Sequence, residues 1–285
     1  MRALLESSDV NPGIVEHGRT PLCVAAENGH DGVVRALVER SNANFNAADP
    51  WGRTPLSLAA FNGHEGVVRI LLEQNDVSPD IVDIVYGRTP LSYAAETGLE
   101  GIVRILLGRA DVNPNIADKN GQTPLSLAAQ NGHEGVVRIL VERNDVDANA
   151  ADKNGQTPLF LAANGGNEGV VGIMVERNDV DPNATDKYGR TPLVVAAEGG
   201  NEEVVRILLE RKDFNLSTAD RFCQAAPSWP AHNRYSRTAK FVGDRADFTR
   251  GYRASLEQID SGSSVQSKPS EPPSKKQSAN FNTQW

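Results

Sequence analysis

Residues 49–72 read Asp-Pro-Trp-Gly-Arg-Thr-Pro-Leu-Ser-Leu-Ala-Ala-Phe-Asn-Gly-His-Glu-Gly-Val-Val-Arg-Ile-Leu-Leu, and variants of this stretch recur along most of the chain. The pentapeptide Gly-Arg/Gln-Thr-Pro-Leu within it occurs six times, 34 or 35 residues apart. Its copies, which number the first to sixth units, start at Gly18, Gly52, Gly87, Gly121, Gly155 and Gly189. Residues 117–150 and 151–184 agree at 27 of 34 positions. A fixed period of this length is typical of a solenoid of stacked units.

The second unit shows how each copy predicts two helices. Gly52 supplies the positive φ of a tight turn, here called the finger, and Thr54 caps a helix whose first position is filled by Pro55. That helix ends at Asn62-Gly63, and a second one begins at about Glu65. One unit has too little apolar surface to fold alone, so we predict an all-α repeat solenoid in which stacking supplies the core. The apolar stripe of the second helix comprises Val67, Ile70 and Leu71, with Val68 and Leu72 alongside.

The shared pattern, D-x-x-G-x-T-P-L-x-x-A-A-x-x-G-H-E-G-V-V-R-I-L-L, closely resembles the ankyrin repeat over residues 1 to about 212. The resemblance implies a helix-turn-helix stack with finger turns, acting as a non-catalytic scaffold for protein-protein interaction. The loop after the second helix, as in residues 142–147, is one residue longer than the family's usual turn. The histidine that the family carries after Thr-Pro-Leu is replaced by Cys23, Ser57, Ser92, Ser126, Phe160 and Val194.

A second resemblance concerns the style of the repeats. The motif Ser-Leu-Ala-Ala-x-Asn-Gly-His-Glu-Gly-Val-Val-Arg, in near-identical tandem copies, looks like the arrays attached to fungal-type NACHT/STAND sensor proteins. It implies an alternative function, in which the chain is the C-terminal sensing fragment of a larger receptor or enzyme whose effector domain is missing from this chain. Both functions stay open at this point, because a repeat array does not reveal the domain attached to it.

The sequence predicts four segments along the chain. Residues 1–12 begin like residues 68–77 and indicate a truncated half repeat, and residues 13–212 hold six ankyrin-like repeats. Residues 213–233 resemble a decayed seventh repeat, and residues 234–285 form a low-complexity tail whose composition predicts disorder. Because the array opens without a polar cap, we expect its first residues to fray or to mediate self-association through exposed apolar surface.

Charge and composition favour an intracellular interaction protein. The net charge of the chain is −8. Residues 1–212 contribute −11, from 19 basic and 30 acidic side chains, and residues 213–285 contribute +3, from 10 basic and 7 acidic side chains. An acidic array disfavours nucleic acid as its ligand. We find no basic-then-apolar leader and no apolar run that could span a membrane, so we expect the cytoplasm first, with the nucleus open. Cys23 and Cys223 imply no disulfide framework.

Candidate catalytic and metal sites do not withstand inspection, so we predict no catalytic residue, metal or cofactor. His30, His64 and His133 occupy the same turn in different units, too far apart to share an ion. Residues 145–156 imitate the start of a calcium loop but lack its sixth-position glycine and twelfth-position glutamate. Three glutamate-arginine pairs at i, i+4 indicate a solvated helix face: Glu65 and Arg69, Glu100 and Arg104, Glu134 and Arg138.

What remains is a binding surface, which the ankyrin resemblance places on the finger tips and the exposed side of the first helices. Aromatic side chains gather there in the second and third units, and the acidic background favours a protein partner with apolar side chains and some basic character. In the alternative interpretation, Trp51 and Tyr86 only pack on adjacent fingers. The predicted partner-binding residues are Trp51, Arg53, Phe61, Asn62, Tyr86, Arg88, Glu96, Lys119, Tyr188 and Arg190.

One stretch of the tail supports a rival hypothesis. Between Arg234 and Arg253, basic residues alternate with aromatic ones, as in binders of single-stranded nucleic acid or membrane surfaces. A solvated, disordered run explains the same composition. The salt dependence of oligonucleotide binding by a tail peptide distinguishes the two.

Overall fold

The computed structural model describes residues 18–39 and 44–211. These residues cover the six copies of the pentapeptide. Four sequence-based predictions fall outside them: the half repeat at 1–12, the decayed repeat at 213–233, the tail at 234–285, and its basic-aromatic stretch.

The described residues form twelve helices, which confirms the predicted all-α repeat solenoid. The helices come in six pairs, a first and a second helix in each unit. In chain order they are α1 (Pro21–Glu27), α2 (Asp31–Val38), α3 (Pro55–Phe61), α4 (Glu65–Leu72), α5 (Pro90–Glu96), α6 (Glu100–Leu107), α7 (Pro124–Asn131), α8 (Glu134–Val141), α9 (Pro158–Gly165), α10 (Glu168–Val175), α11 (Pro192–Gly199) and α12 (Glu202–Glu210).

Each first helix begins with the predicted cap. Thr54 takes an extended conformation and its Oγ1 accepts the backbone N–H of Ser57 at 3.1 Å, while Pro55 fills the first helical position. Ser57 stands where the family's histidine would be, and its hydroxyl lies 3.0 Å from that of Thr54. The serine therefore strengthens the cap of the helix. Gly52 has a φ of 81°, as the finger requires.

The units stack so that like helices pack on like helices, first against first and second against second. The alanine pair Ala59-Ala60 is fully buried between neighbouring first helices. Val67, Val68 and Leu71 are buried on α4, as predicted, and the buried side chains form one continuous core along the array. Since each unit completes the core of its neighbours, stability belongs to the stack as a whole.

Second helices also fit together through a carboxylate and a glycine. The Glu65 carboxylate lies directly against Gly101 of the next unit, so a Cβ atom at Gly101 would displace it. Glu100 lies in the same way against Gly135. The glycine that follows the first glutamate of these helices therefore lets the neighbouring carboxylate approach closely, and it is not part of a turn.

The fingers are held by buried aspartates and joined to one another. The Asp49 carboxylate accepts the backbone N–H groups of Trp51 at 3.0 Å and Arg53 at 2.9 Å. Backbone hydrogen bonds link neighbouring fingers, for example from Ile84 N–H to the Trp51 carbonyl at 2.8 Å. The finger tips thus form a continuous row. The equivalent aspartates are Asp83, Asp118, Asp152 and Asp186, all buried.

The third finger contains one residue more than the others, which explains the single spacing of 35 residues. Three residues separate Asp83 from Gly87, whereas two separate Asp49 from Gly52. Gly87 N–H therefore bonds to the Asp83 carbonyl four residues back, at 3.1 Å. In the second finger, Gly52 N–H bonds to the Asp49 carbonyl three residues back. The longer turn displays three consecutive large side chains, at positions 84–86.

The longer loops after the second helices tie successive units together. Arg143 pairs with Asp145 at 2.7 Å and also donates from Nη1 to the Leu107 carbonyl, near the end of α6, at 3.2 Å. Asn115 bridges the same two units, because its Nδ2 donates to the Asp145 carbonyl at 2.6 Å and its Oδ1 accepts from Asp147 N–H at 2.9 Å. The longer loop thus supplies several contacts between units.

Candidate functional site

Exposed large apolar side chains concentrate in one part of the array. Of the eight in the described residues, six lie between positions 51 and 86, and only Val24 and Tyr188 lie elsewhere. Trp51 is 50% exposed, Tyr86 52% and Ile84 62%. We call this group the apolar patch; it comprises Trp51, Phe61, Val82, Ile84, Val85 and Tyr86.

Four members of the patch are linked, Trp51 to Ile84 directly and Phe61 to Tyr86 through Tyr93 and Arg88. Ile84 adjoins Trp51 through the backbone hydrogen bond between their fingers. On the helix side, the Phe61 ring meets the Tyr93 ring edge to face, with centroids 5.3 Å apart. The Arg88 guanidinium lies 5.0 Å from the Tyr86 ring centroid and 6.0 Å from that of Tyr93. Two fingers and two first helices therefore build one surface.

Buried polar contacts support the patch from beneath. The Tyr93 hydroxyl donates to the Asp83 carboxylate at 3.0 Å. Burial would raise the pKa of Asp83, but hydrogen bonds from the N–H groups of Tyr86 and Arg88 and from Tyr93 lower that pKa below its usual value. Burial and the neighbouring Asp83 charge raise the pKa of Tyr93. Asp83 is thus held as an anion and Tyr93 as a neutral donor.

The predicted arginines are engaged within the protein. Arg53 donates from Nε to Asp49 at 2.9 Å, and its guanidinium lies 5.0 Å from the Trp51 ring centroid. Arg88 pairs with Glu96 at 2.6 Å. Each arginine therefore contacts an exposed aromatic ring and holds it in place. The ion pair with Glu96 positions the Arg88 guanidinium for this contact.

The other predicted residues lie at different places. Asn62 is exposed, but its Nδ2 donates to the Leu58 carbonyl at 2.8 Å and so closes α3. Lys119 Nζ contacts the Ile84 carbonyl beside the patch. Tyr188 and Arg190 lie on the sixth finger, three fingers beyond Tyr86, with the guanidinium 5.5 Å from the ring centroid. The structure thus brings the second-unit and third-unit residues together and leaves the sixth-unit pair apart.

A family profile described as ankyrin repeats in three copies matches residues 1–83, 75–152 and 144–220. The chain belongs to the ankyrin repeat family. Ankyrin repeats are a general protein-protein interaction module. No curated protein sequence is similar enough to match this chain.

Solved ankyrin structures share the fold. The ankyrin repeat protein EF0377 superimposes with a TM-score of 0.64 at 24% identity, covering 70% of this chain and 100% of that one. The ankyrin repeat domain of Bcl-3, described as a unique member of the IkappaB protein family, gives 0.64 at 26% identity, covering 70% and 90%. In all, 579 chains of solved structures match, so the shape of the ankyrin array does not single out a partner.

The turn histidines connect ankyrin units. His64 Nε2 lies 2.9 Å from the Glu27 carbonyl of the preceding unit, and His133 Nε2 lies 2.8 Å from the Glu96 carbonyl. Among the residues that the structure describes, no group of three or more His, Cys, Asp or Glu side chains is placed to hold a metal ion. The helices within 18–39 and 44–211 include none long and apolar enough to cross a bilayer.

Sequence reasoning missed Val82, Ile84 and Tyr93 as parts of the site. The spacing of 35 was visible and marks the longer third finger. Tyr93 was also visible as an aromatic residue at a position where the second unit has Leu58. Neither signal reveals that Tyr93 links Phe61 to the third finger, because that contact joins side chains of different units.

Proposed function

We propose that this ankyrin array is a non-catalytic scaffold that binds a protein partner through the apolar patch. The observation that carries the proposal is the gathering of six exposed apolar side chains within two adjacent units. Single exposed apolar residues are ordinary on protein surfaces, whereas contiguous groups mark sites of interaction. An interaction scaffold of this kind belongs inside the cell, and we propose the cytoplasm, ahead of the nucleus, as its location.

The composition and rigidity of the patch support binding. Tryptophan and tyrosine bury much area with few rotatable bonds, and they dominate binding hot spots. Arg53 and Arg88 hold the Trp51 and Tyr86 rings by cation-π contacts, so a partner meets side chains that are already ordered. In this proposal the predicted residues of the second and third units form the site, with Tyr188 and Arg190 at its far end.

Site-specific photo-crosslinking tests the proposal. A benzoylphenylalanine residue replaces Tyr86 in one variant and Arg104, which is exposed on α6, in a control variant. Both are expressed in the native cell and irradiated. We expect covalent adducts of a defined protein from position 86 and none from position 104. Adducts from position 104 alone would place the binding surface on the second helices and contradict the proposal.

A second candidate function is the sensing part of a larger NACHT/STAND-type receptor. The observation that favours it is the agreement of residues 117–150 and 151–184 at 27 of 34 positions, the near-identity on which that resemblance rests. The coding sequence flanking this chain tests it. An effector domain in the same reading frame supports this function, and a stop codon directly upstream of the first repeat contradicts it.

A further inference from the structure

The charges of the array are segregated between its two sides. Across the described residues, the fingers and first helices carry seven cationic and eight anionic side chains. The second helices and the loops after them carry nine cationic and nineteen anionic side chains. The net negative charge of the described residues therefore lies almost entirely on the second-helix side, and the total charge does not describe the fingers.

The carboxylates on the finger side are already engaged within the protein. The five finger aspartates are buried and hydrogen-bonded to backbone N–H groups. The three glutamates at the ends of first helices pair with arginines of their own units: Glu27 with Arg19, Glu96 with Arg88, and Glu198 with Arg190. These eight carboxylates are therefore buried or paired within the protein and do not face a ligand as free surface anions.

Three lysines are the exception. Lys119, Lys153 and Lys187 are exposed at equivalent positions of the fourth, fifth and sixth fingers. Lys187 Nζ lies 2.8 Å from Asn154 Oδ1, and Lys119 Nζ contacts the Ile84 carbonyl, so both groups meet neutral oxygens. In the part of the chain that the structure describes, no carboxylate forms an ion pair with any of the three.

The lysines form a row that continues from the apolar patch. Lys119 N–H bonds to the Tyr86 carbonyl at 2.7 Å, Lys153 N–H to the Asn120 carbonyl at 2.9 Å, and Lys187 N–H to the Asn154 carbonyl at 2.7 Å. Each lysine is therefore fixed by its backbone against the preceding finger. The row begins at the finger next to Tyr86 and runs toward the sixth unit.

We infer that the fingers bind an extended acidic segment of the partner, with an apolar anchor at the apolar patch and carboxylates facing Lys119, Lys153 and Lys187. The inference rests on the proposed function and specifies the partner's chemistry. Packed helices lie about 8 to 10 Å apart, and an extended chain advances about 3.3 Å per residue. An acidic residue at about every third position of the segment therefore meets successive lysines.

This inference differs from the basic partner that total charge favours, because the acidic groups responsible for that charge lie on the second-helix side. A polyphosphate would also be attracted to three lysines. However, a protein segment can fill the adjoining apolar patch, and the strongly negative second-helix side opposes the approach of a nucleic acid. The geometry therefore favours a peptide.

Fluorescence anisotropy with synthetic peptides tests the inference on the full chain. The probes are two fluorescein-labelled 12-residue peptides with Glu at every third position, one with a Trp-Leu anchor at its N-terminal end and one with the anchor at its C-terminal end. A second pair has the same sequences with Gln in place of Glu. A 12-nucleotide oligothymidylate is the polyphosphate probe. The test variant is Lys119→Gln/Lys153→Gln/Lys187→Gln. The matched control is Arg69→Gln/Arg104→Gln/Arg138→Gln, which removes the same charge from exposed positions of second helices.

We expect one Glu peptide to bind at least about tenfold more tightly than its Gln counterpart at low salt, which corresponds to three exposed ion pairs of ordinary strength. The lysine variant should abolish that preference and the arginine variant should retain it. Equal affinity for Glu and Gln peptides would overturn the inference that the segment is acidic, but it would not contradict binding at the apolar patch. Tighter binding of oligothymidylate, or no binding of any peptide at about 1 mM, also overturns it. The crosslinking experiment then decides independently whether the array is a scaffold.

Discussion

The hydroxyl of Tyr93 donates a hydrogen bond of 3.0 Å to the carboxylate of Asp83, and this bond joins the first helix of the third unit to its own finger. The second unit has Leu58 at the position of Tyr93, a residue that cannot form such a bond. The ring of Tyr93 also supports Phe61 of the preceding unit. One buried side chain thus positions both the tip and the helical part of the apolar patch.

Replacing Tyr93→Phe should destabilise the array by about 1.5 to 3 kcal/mol, the net value of a hydrogen bond to a charged group. Hydrogen bonding lowers the folded-state pKa of Asp83, so its stabilisation is present above the unfolded pKa and is lost as pH falls through the folded pKa. The difference between the two proteins should therefore shrink in acid. Urea unfolding at a series of pH values from 7 downward measures it, and a difference that stays constant until the array unfolds in acid would contradict the ionic bond.

The substitution Asp80→Asn should stabilise the protein at neutral pH. Asp80 occupies the position at which Asn115 bridges two units, and its Oδ1 is buried without a hydrogen-bond partner. Burial and the nearby Asp111 raise the pKa of Asp80 despite a hydrogen bond from Asn113. An asparagine supplies the missing donor. We expect a gain of about 0.5 to 1 kcal/mol, as for one partly exposed hydrogen bond.

The gain from Asp80→Asn should depend on pH. Because the folded-state pKa of Asp80 is raised, its contribution to stability is present below the unfolded pKa and is lost as pH rises through the folded pKa. The advantage of the asparagine should therefore be largest at pH 7 and small near pH 3. The reverse change, Asn115→Asp, is the matched control and should destabilise at pH 7. Stabilisation by both substitutions would show that the amide donor is irrelevant.

Removing the exposed aromatics should affect binding more than stability. Trp51→Ala and Tyr86→Ala should leave the thermal midpoint nearly unchanged, since about half of each ring is already in solvent. Leu91→Ala, at a buried position of α5, should cost about 2 to 5 kcal/mol and calibrates the assay. For a crosslinked partner, each aromatic variant should weaken binding by about 2 kcal/mol or more. Lost stability with normal binding would make these rings part of the framework.

The fifth unit offers a stabilising change at Gly172. It lies within α10 where the fourth unit has Arg138, and an added Cβ atom would meet no neighbour within 4 Å. Gly172→Arg should therefore raise the free energy of unfolding by about 1 kcal/mol through helix propensity. Gly169→Ala on the same helix is the comparison, because a Cβ there would displace the Glu134 carboxylate and offset part of the gain in helix propensity. Unfolding midpoints in urea should rise more for Gly172→Arg than for Gly169→Ala, and the reverse order would contradict this account.

The repeated features of the fold could be predicted from the sequence because they depend on nearby residues. The cap at Thr54, the φ of Gly52 and the start of α4 at Glu65 follow from local chemistry and the 34-residue period. The exceptions could not be predicted in this way. Arg88 could equally have faced a ligand, and only the folded third unit shows that it meets Glu96 and the Tyr86 ring.

The contact of Glu134 with Gly169 has a consequence for how the array can change its length. Suppose that an additional copy of residues 151–184 were inserted in register after the fifth unit. Its counterpart of Gly169 would lie against Glu168 of the fifth unit, and its counterpart of Glu168 would face the sixth unit as Glu168 does now. Such an insertion creates no new kind of junction. It would also add one lysine-bearing finger, so a duplication of 34 codons could extend the reach of the binding face by one repeat without redesign of the core.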